Sequence, residues 1–576
     1  MNAERLLAHY EQVADAPDAI ARLRRFILDL AVRGKLVPQD ANDEPASELL
    51  KRVAKEKARL VETGEIKAGK PLSPVGSDAD FDVPSNWRWT RLGVIASYIQ
   101  RGKSPKYAAS NGSPVVSQKC VQWTGLDLAV ARQITSESLV DYESIRFLRA
   151  GDLLWNSTGT GTIGRVIRLD NPPERLVCDS HVTVVRCLEV DPEYIRTWLR
   201  SDQVYALIED RAAGSTNQVE LTAQMAMNQV VPLPPLTEQY RIVAKVDELM
   251  GLCDQLEAAR ANREETRDRL AAASLTRLNA PDPETFQADA RFALDALPAL
   301  TTRDDQIKQL RQTILNLAVR GKLVPQDTTD EPASELLKRM ALAKIERKKK
   351  TGDARIKVAP DPTAAELDMP LPSGWAVQSF ENLFLFIDYR GNTPPKTKDG
   401  IPLVTAKNIR MGYLNREPRE YISKATYKTW MTRGFPEIGD LFFTTEAPLA
   451  NICLNDIEEP FALAQRAICF QPYAKIDTKF LMFALMSDVM QLLIDKHATG
   501  MTAKGIKAAN LKPLPIPIPP VAEQGRIVEK VDALMALCDR LEASLTATAA
   551  IRRRLLDALL AEAVAPDDHR ELAAAE

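Results

Sequence analysis

One stretch of sequence occurs twice without a change. Leu30–Asp40 reads LAVRGKLVPQD, and Leu317–Asp327 reads the same. EPASELLKR follows both, at Glu44–Arg52 and Glu331–Arg339. A second box also recurs: PPLTEQYRIVAKVDELMGLCDQLEA at Pro234–Ala258 and PPVAEQGRIVEKVDALMALCDRLEA at Pro519–Ala543. The offsets are 287 and 285 residues, so the 576-residue chain is two copies of one unit. Such a period is too long for a solenoid and marks a duplication. Between the boxes the halves diverge but keep a frame. Each opens on Pro-Ser-x-Trp (Pro84, Pro372), turns at Gly-Asp-Leu (Gly151, Gly439) and ends on a small-residue loop (Gly214, Gly500) before a proline-spaced segment. One scaffold with two different surfaces fits two readers of two different targets.

The second box has the period of a helix. Ile242, Val246, Leu249, Cys253 and Leu256 fall at spacings of 4, 3, 4 and 3, as do Ile527, Val531, Leu534, Cys538 and Leu541. This is a coiled-coil seam, on which the two cysteines are small buried residues. Prolines 234, 235, 519 and 520 mark sharp starts, and the helices are predicted over 237–278 and 522–563. The first box is helical too, with Gly34 and Gly321 as C-caps and a charged helix after it. The central segment runs from long helix to first box. The C-terminus joined to the N-terminus would run the same way, like a circle cut open. The expected fold is α+β: two mixed, strand-rich domains, each with a small curved sheet, separated by two antiparallel helical arms with pseudo-two-fold symmetry. The boundaries are an N-terminal helical segment 1–83, a first domain 84–233, a central helical region 234–369, a second domain 370–518 and a C-terminal helical region 519–576.

Enzyme signatures fail on inspection. Gly159–Gly164 reads GTGTIG, but RVIRLD follows as a strand, where a dinucleotide site needs a helix. Asp170–Pro173 reads DNPP, yet Glu174 stands where an amino-methyltransferase needs an aromatic residue. Gly102–Ser104 reads GKS without the earlier glycine of a P-loop, because position 97 is Ser97. Four scattered histidines and seven cysteines without a C-x-x-C pair give no zinc pattern and argue for a reducing compartment. No long apolar run suggests a membrane helix or secretory signal, so a cytoplasmic location is expected.

The paired boxes, LAVRGKLVPQ with EPASELL and PPLxEQxRIVxKVDxLMxLCDxLE, resemble the specificity subunit of type I restriction-modification systems, over the whole chain. The resemblance implies a non-catalytic protein with two target-recognition domains, each reading half of a split, asymmetric DNA sequence. It implies helical arms that fix the gap and dock two adenine-N6 methyltransferase subunits, which use S-adenosylmethionine. Endonuclease and translocase subunits, with ATP and magnesium, can join them. Asn279–Thr302, rich in Ala, Pro and Asp, departs from the pattern and reads as a loop lengthening the central connection.

DNA affinity comes from Lys and Arg on phosphates, and specificity from side chains on base edges. The recognition domains carry net charges of +1 (84–233) and +3 (370–519), against −3 for the chain. In the first domain the candidates are Arg101, Lys103, Ser104, Lys106, Ser117, Gln118 and Lys119. In the second they are Arg390, Asn392, Thr393, Lys396, Lys398, Lys407 and Asn408. Arg and Lys suit guanine O6/N7, and Gln and Asn suit adenine N6/N7. Ser215, Thr216, Asn217 and Gln218, with Thr502, Lys504 and Lys507, precede the helices and are candidates for backbone contacts. No metal site is expected. The competing readings are a duplicated coiled-coil adaptor that binds proteins and, behind it, an orphan methyltransferase or nuclease.

Overall fold

The computed structural model describes residues 15–564, except 77–80, 109–111, 160, 206–207, 209–219, 281, 283, 355, 358, 368, 390–392, 465 and 501–503. The chain divides into two compact units, residues 1–262 with 549–576 and residues 263–548. The proline-marked second boxes open two helices of equal length, Leu236–Asn279 and Val521–Val564, 44 residues each. No helix among the described residues is long and apolar enough to cross a membrane.

In the first unit the LAVRG box forms the helix Ala19–Val32, and EPASELL opens the helix Ala46–Glu62. Gly34, in the left-handed region (φ 68°), ends the first of these, and the Lys35 N–H bonds the Leu30 carbonyl. A Cβ on Gly34 would lie 2.5 Å from Pro84 Cγ, so the glycine also lets the Pro-Ser-x-Trp segment close on the helix. The second unit repeats this with helices Asp304–Val319 and Ala333–Thr351, and Gly321 (φ 64°) against Pro372.

The long helices complete these cores. Ile242, Val246 and Cys253 are buried among Ile27, Leu28, Ala31, Val32 and Leu49, with Leu249 partly buried beside them and Leu256 half-buried. Ile527, Val531 and Cys538 are buried among Ile307, Ile314, Leu315, Ala318 and Val319, with Leu534 and Leu541 against the same core. Within each unit the seam thus packs on the first-box helix. The far ends of the long helices are also packed. In the first unit Leu556 is buried with Ala16 and Ala19, and Arg22 pairs with Asp557. In the second, Leu275 and Leu278 pack with Ala293 and Leu300, and Asn279 Nδ2 donates to Thr313 Oγ1 at 3.1 Å. Asn279–Thr302 is not the expected loop. Its apolar residues form helices Phe286–Asp295 and Leu297–Leu300 that cover the long helix's end.

A buried carboxylate ties the boxes to each recognition domain. Glu238, from the TEQ of the long helix, is fully buried. It accepts hydrogen bonds from Trp87 Nε1 of PSNW (2.9 Å) and Gln39 Nε2 of LVPQ (2.5 Å). Glu523 does the same with Trp375 (3.0 Å) and Gln326 (2.6 Å). Burial pushes both carboxyls above their usual range, and these bonds oppose the shift. The next residue is also duplicated. Gln239 Oε1 accepts from the Asp191 N–H at 2.9 Å and Gln524 Oε1 from the Asp477 N–H at 3.0 Å, at the N-caps of helices Pro192–Leu199 and Thr478–Met486.

Each domain is closed by an antiparallel ribbon of its first and last strands, Arg88–Arg91 with Val230–Leu233 and Ala376–Ser379 with Pro515–Ile518. The proline-spaced segments are these closing strands, where a two-stranded ribbon leaves room for residues without an N–H. Instead of one curved sheet, the described residues of each domain hold, besides this ribbon, two sheets and a short hairpin. The main sheet of the first is antiparallel, in the order Ala96–Arg101, Val182–Cys187, Leu153–Asn156, Val166–Arg168. The second has Phe384–Asp388, Ala467–Pro472, Leu441–Thr444, Ile452–Leu454 in the same places. The smaller sheets both contain a parallel pair, Ser113–Val116 with Val177–Cys178 and Ile401–Val404 with Ala462–Leu463. GTGTIG falls in the connection between the paired strands Leu153–Asn156 and Val166–Arg168, a hairpin turn as expected.

The cores have diverged inside this frame. Buried Asp152 takes a bidentate pair from Arg186, at 2.7 Å to each oxygen. Its counterpart Asp440 keeps the local N–H bond, from Glu437 (2.7 Å) as Asp152 has from Arg149 (2.8 Å), but in place of the arginine it has Gln471 Nε2 (3.1 Å) and Cys469 Sγ (3.5 Å). Burial pushes Asp440 up to about 6.

Glu238→Ala strands a buried indole N–H and an amide, and lowers the first unit's stability by about 1–3 kcal/mol. Hydrogen exchange then accelerates across 19–62 and not across 304–351, and Glu523→Ala gives the reverse. For Asp440 the folded state holds its proton more tightly than the unfolded chain. Its contribution is therefore greatest below about pH 4 and declines as pH rises to about 6, by about 2–3 kcal/mol in all. Hydrogen exchange of the 384–472 sheet between pH 4 and 7, corrected for intrinsic rates, should show this slope in the parent chain and lose it in Asp440→Asn.

Candidate nucleic-acid interface

In each domain the polar candidates sit on loops leaving the sheets. The first loop starts where strand Ala96–Arg101 ends. Gly102 donates its N–H to the Val182 carbonyl, and a Cβ there would lie 2.2 Å from the Cys178 and Asp179 carbonyl oxygens. Only glycine lets the loop pass this close. Arg101 is committed inside the domain, with Nε donating to the Ser180 carbonyl (2.8 Å) and Nη1 to Glu220 (2.9 Å). Ser104 Oγ donates to Ser180 Oγ at 3.0 Å. Lys103 is exposed, with its ammonium 5.6 Å from the Tyr142 ring centroid, and Lys106 is exposed.

The next loop holds candidates that the fold buries. Ser117 is buried, with its hydroxyl 3.6 Å from Cys120 Sγ. The Cys120 N–H closes the turn onto the Ser117 carbonyl at 2.9 Å. Asn408 is likewise buried. Its Oδ1 accepts from the Thr405 N–H (3.0 Å), and its Nδ2 donates to the Asn415 and Pro418 carbonyls. Ser117 and Asn408 therefore build turns and are not presented to a ligand. The turns Ser117–Cys120 and Thr405–Asn408 follow equivalent strands, which places Lys119 and Lys407 at the same position, both exposed. Gln118 is half-buried, and its Oε1 accepts from Thr158 Oγ1 at 3.1 Å.

In the second domain Thr393, Lys396, Lys398 and Lys407 are exposed. Glu420 lies 2.8 Å from Lys396 and 3.6 Å from Lys407, so one carboxylate holds two lysines on one edge. Lys504 pairs with Asp495 at 2.6 Å, and Lys507 is exposed beside the short helix Ala508–Leu511. Ser215, Thr216, Asn217, Gln218, Arg390, Asn392 and Thr502 lie outside the described residues. Among the described residues no group of three or more His, Cys, Asp or Glu is arranged to hold a metal ion.

Several rim residues were not picked from the sequence. Tyr107 lies under the Arg132 guanidinium, 3.3 Å from the ring centroid, and its hydroxyl donates to Asp179 at 3.4 Å. Burial pushes the Asp179 carboxyl up, opposed by the His181 N–H. His181 and Arg466 stand on the rims of the two domains, each in front of a main-sheet strand. No motif marks them. The only signal is a polar residue ahead of an apolar run. The arrangement offers exposed cations and hydrogen-bonding groups on short, braced loops, suited to phosphates and base edges.

The profile of the type I restriction modification DNA specificity domain matches residues 84–264 and 372–549. The EcoAI type I restriction enzyme specificity subunit of Escherichia coli is 30% identical, over 95% of this chain and 94% of its own length. The EcoEI specificity subunit of Escherichia coli is also 30% identical, over 94% and 93%. Among solved structures, the HsdS subunit from Thermoanaerobacter tengcongensis matches with TM-score 0.44 and 19% identity, over 85% of this chain and 99% of that one.

Proposed function

Since the chain belongs to the family of type I restriction-modification DNA specificity subunits, we propose that its two strand-rich domains each read one half of a split, asymmetric DNA target. The observation that carries this reading is one braced frame bearing two different polar rims. Half-buried Gln118 of the first domain stands where the second has buried Ala406, beside a lysine common to both. A protein reading one sequence twice would repeat the rim with the frame.

In this reading the helical regions form two antiparallel arms with pseudo-two-fold symmetry and set the gap between half-sites. The equal lengths and repeated packing of the 44-residue helices support it. The chain has no catalysis of its own. Two adenine-N6 methyltransferase subunits dock on it and supply S-adenosylmethionine chemistry, and endonuclease subunits supply ATP- and magnesium-dependent translocation and cleavage. The complex works in the cytoplasm, where its DNA is. An adaptor role limited to protein partners is not favoured by the family match.

The deciding experiment is a genome-wide map of N6-methyladenine with and without this gene. One gapped, two-part motif should vanish on deletion, and an unchanged map would refute the reading. Within it, Lys119→Ala and Lys407→Ala each remove one exposed cation. If that cation meets a phosphate, filter binding of the assembled complex should show the slope of log K against log salt shallower by about 0.9. Arg101→Ala acts differently, by releasing Ser180 and Glu220. It should weaken discrimination in one half-site and leave the other intact, as read by competition with duplexes altered in either half.

A further inference from the structure

The rims share one construction that the sequence pattern does not reveal. Strands Val182–Cys187 and Ala467–Pro472 occupy the same place in their sheets, and the residues directly before them are His181 and Arg466. Both backbones are pinned alike. The Ser157 N–H donates to the His181 carbonyl at 2.9 Å, and the Thr445 N–H to the Arg466 carbonyl at 2.9 Å. Both side chains are exposed, and both are held by the next residue along, just past the neighbouring strand. Thr158 Oγ1 lies 2.7 Å from His181 Nδ1, and Arg466 Nε forms an ion pair with Glu446 Oε1 at 2.8 Å. Arg466 keeps this place at φ 63°, a left-handed conformation that costs an arginine energy and is held by the surrounding bonds.

A strand end fixed by the sheet, a pinned backbone and a braced side chain give a rigid pointer. Different chemistry at the same pointer is what two different half-sites require. We propose that His181 and Arg466 read bases, one in each half-site, an assignment that rests on the DNA-reading function above. The bracing also sets the chemistry. Thr158 donates its hydroxyl proton to Gln118 Oε1, so it accepts from the protonated Nδ1 of His181. A ring whose single proton sits on Nδ1 has Nε2 as an acceptor, which matches the amino group of adenine N6 or cytosine N4 in the major groove. Arg466, bound to Glu446 through Nε, keeps its two terminal nitrogens for guanine O6 and N7.

The test uses the full chain with its methyltransferase subunits, in a host without other adenine methylation. Arg466→Ala should relax one guanine position in one component of the methylated motif and leave the other component unchanged. His181→Ala should relax one adenine or cytosine position in the other component. Discrimination at each position should fall about 5- to 150-fold. Unchanged motifs in both variants would overturn the assignment. If a variant methylates nothing, the purified complex is tested with Arg466→Lys or His181→Gln against duplexes substituted at each base. Loss confined to one base supports the assignment, and equal loss on every duplex or failure of the complex to assemble overturns it. Absence of any two-part motif with the parent chain would instead take down the DNA-reading function itself.

Discussion

A buried carboxylate can stay buried only if its oxygens are bonded, and here three distant parts of the chain must meet to do it. Glu238 comes from the long helix, Trp87 from the opening of the recognition domain and Gln39 from the exit of the first box. No two of them suffice. An unpartnered buried polar group costs about as much as a large fraction of the stability of a small domain. The cluster is therefore specified jointly, and so is the docking of helix, box and domain. Glu523, Trp375 and Gln326 make the same demand in the other unit. This accounts for the near-identical boxes around divergent domains. Glycine at 34 and 321 belongs to the same constraint, because a side chain there would hold the tryptophan segment away.

Freed of that task, the rest of each domain can vary. The buried ion pair of Asp152 and Arg186 becomes, at the same place, Asp440 with Gln471 and Cys469. The rim varies further, from His181 with Thr158 to Arg466 with Glu446. The frame tolerates this because the closing ribbon and the carboxylate cluster are built from residues other than those of the loops that leave the sheets. A DNA-reading protein needs this separation, since a change of target must not cost the fold.

The helices were legible because their cause is local. The 4-3-4-3 spacing, the prolines ahead and the glycines behind set their limits to within a residue or two. Asn279–Thr302 looks like a loop in sequence because of its Pro and Asp, and its apolar residues become a helix face only against Leu275 and Leu278. The rim was the least legible. Ser117 and Asn408 have the side chains that would suit a base edge, and both are spent on building turns. Thr158 and His181 are distant in sequence and meet only through strand pairing, and a single sequence does not display that register.

The central claim is that two equivalent clamps hold exchangeable readers. Its most direct test replaces residues 84–233 by a second copy of residues 372–518, which carries Trp375 into the place of Trp87 and leaves Gln39 and Glu238 as they are. The measurement is the N6-methyladenine motif made by this chain with its methyltransferase partners. The expected result is a motif built from the second half-site twice, with the original gap. A motif that still contains the first half-site, or a well-folded chain that directs no two-part methylation, would contradict it.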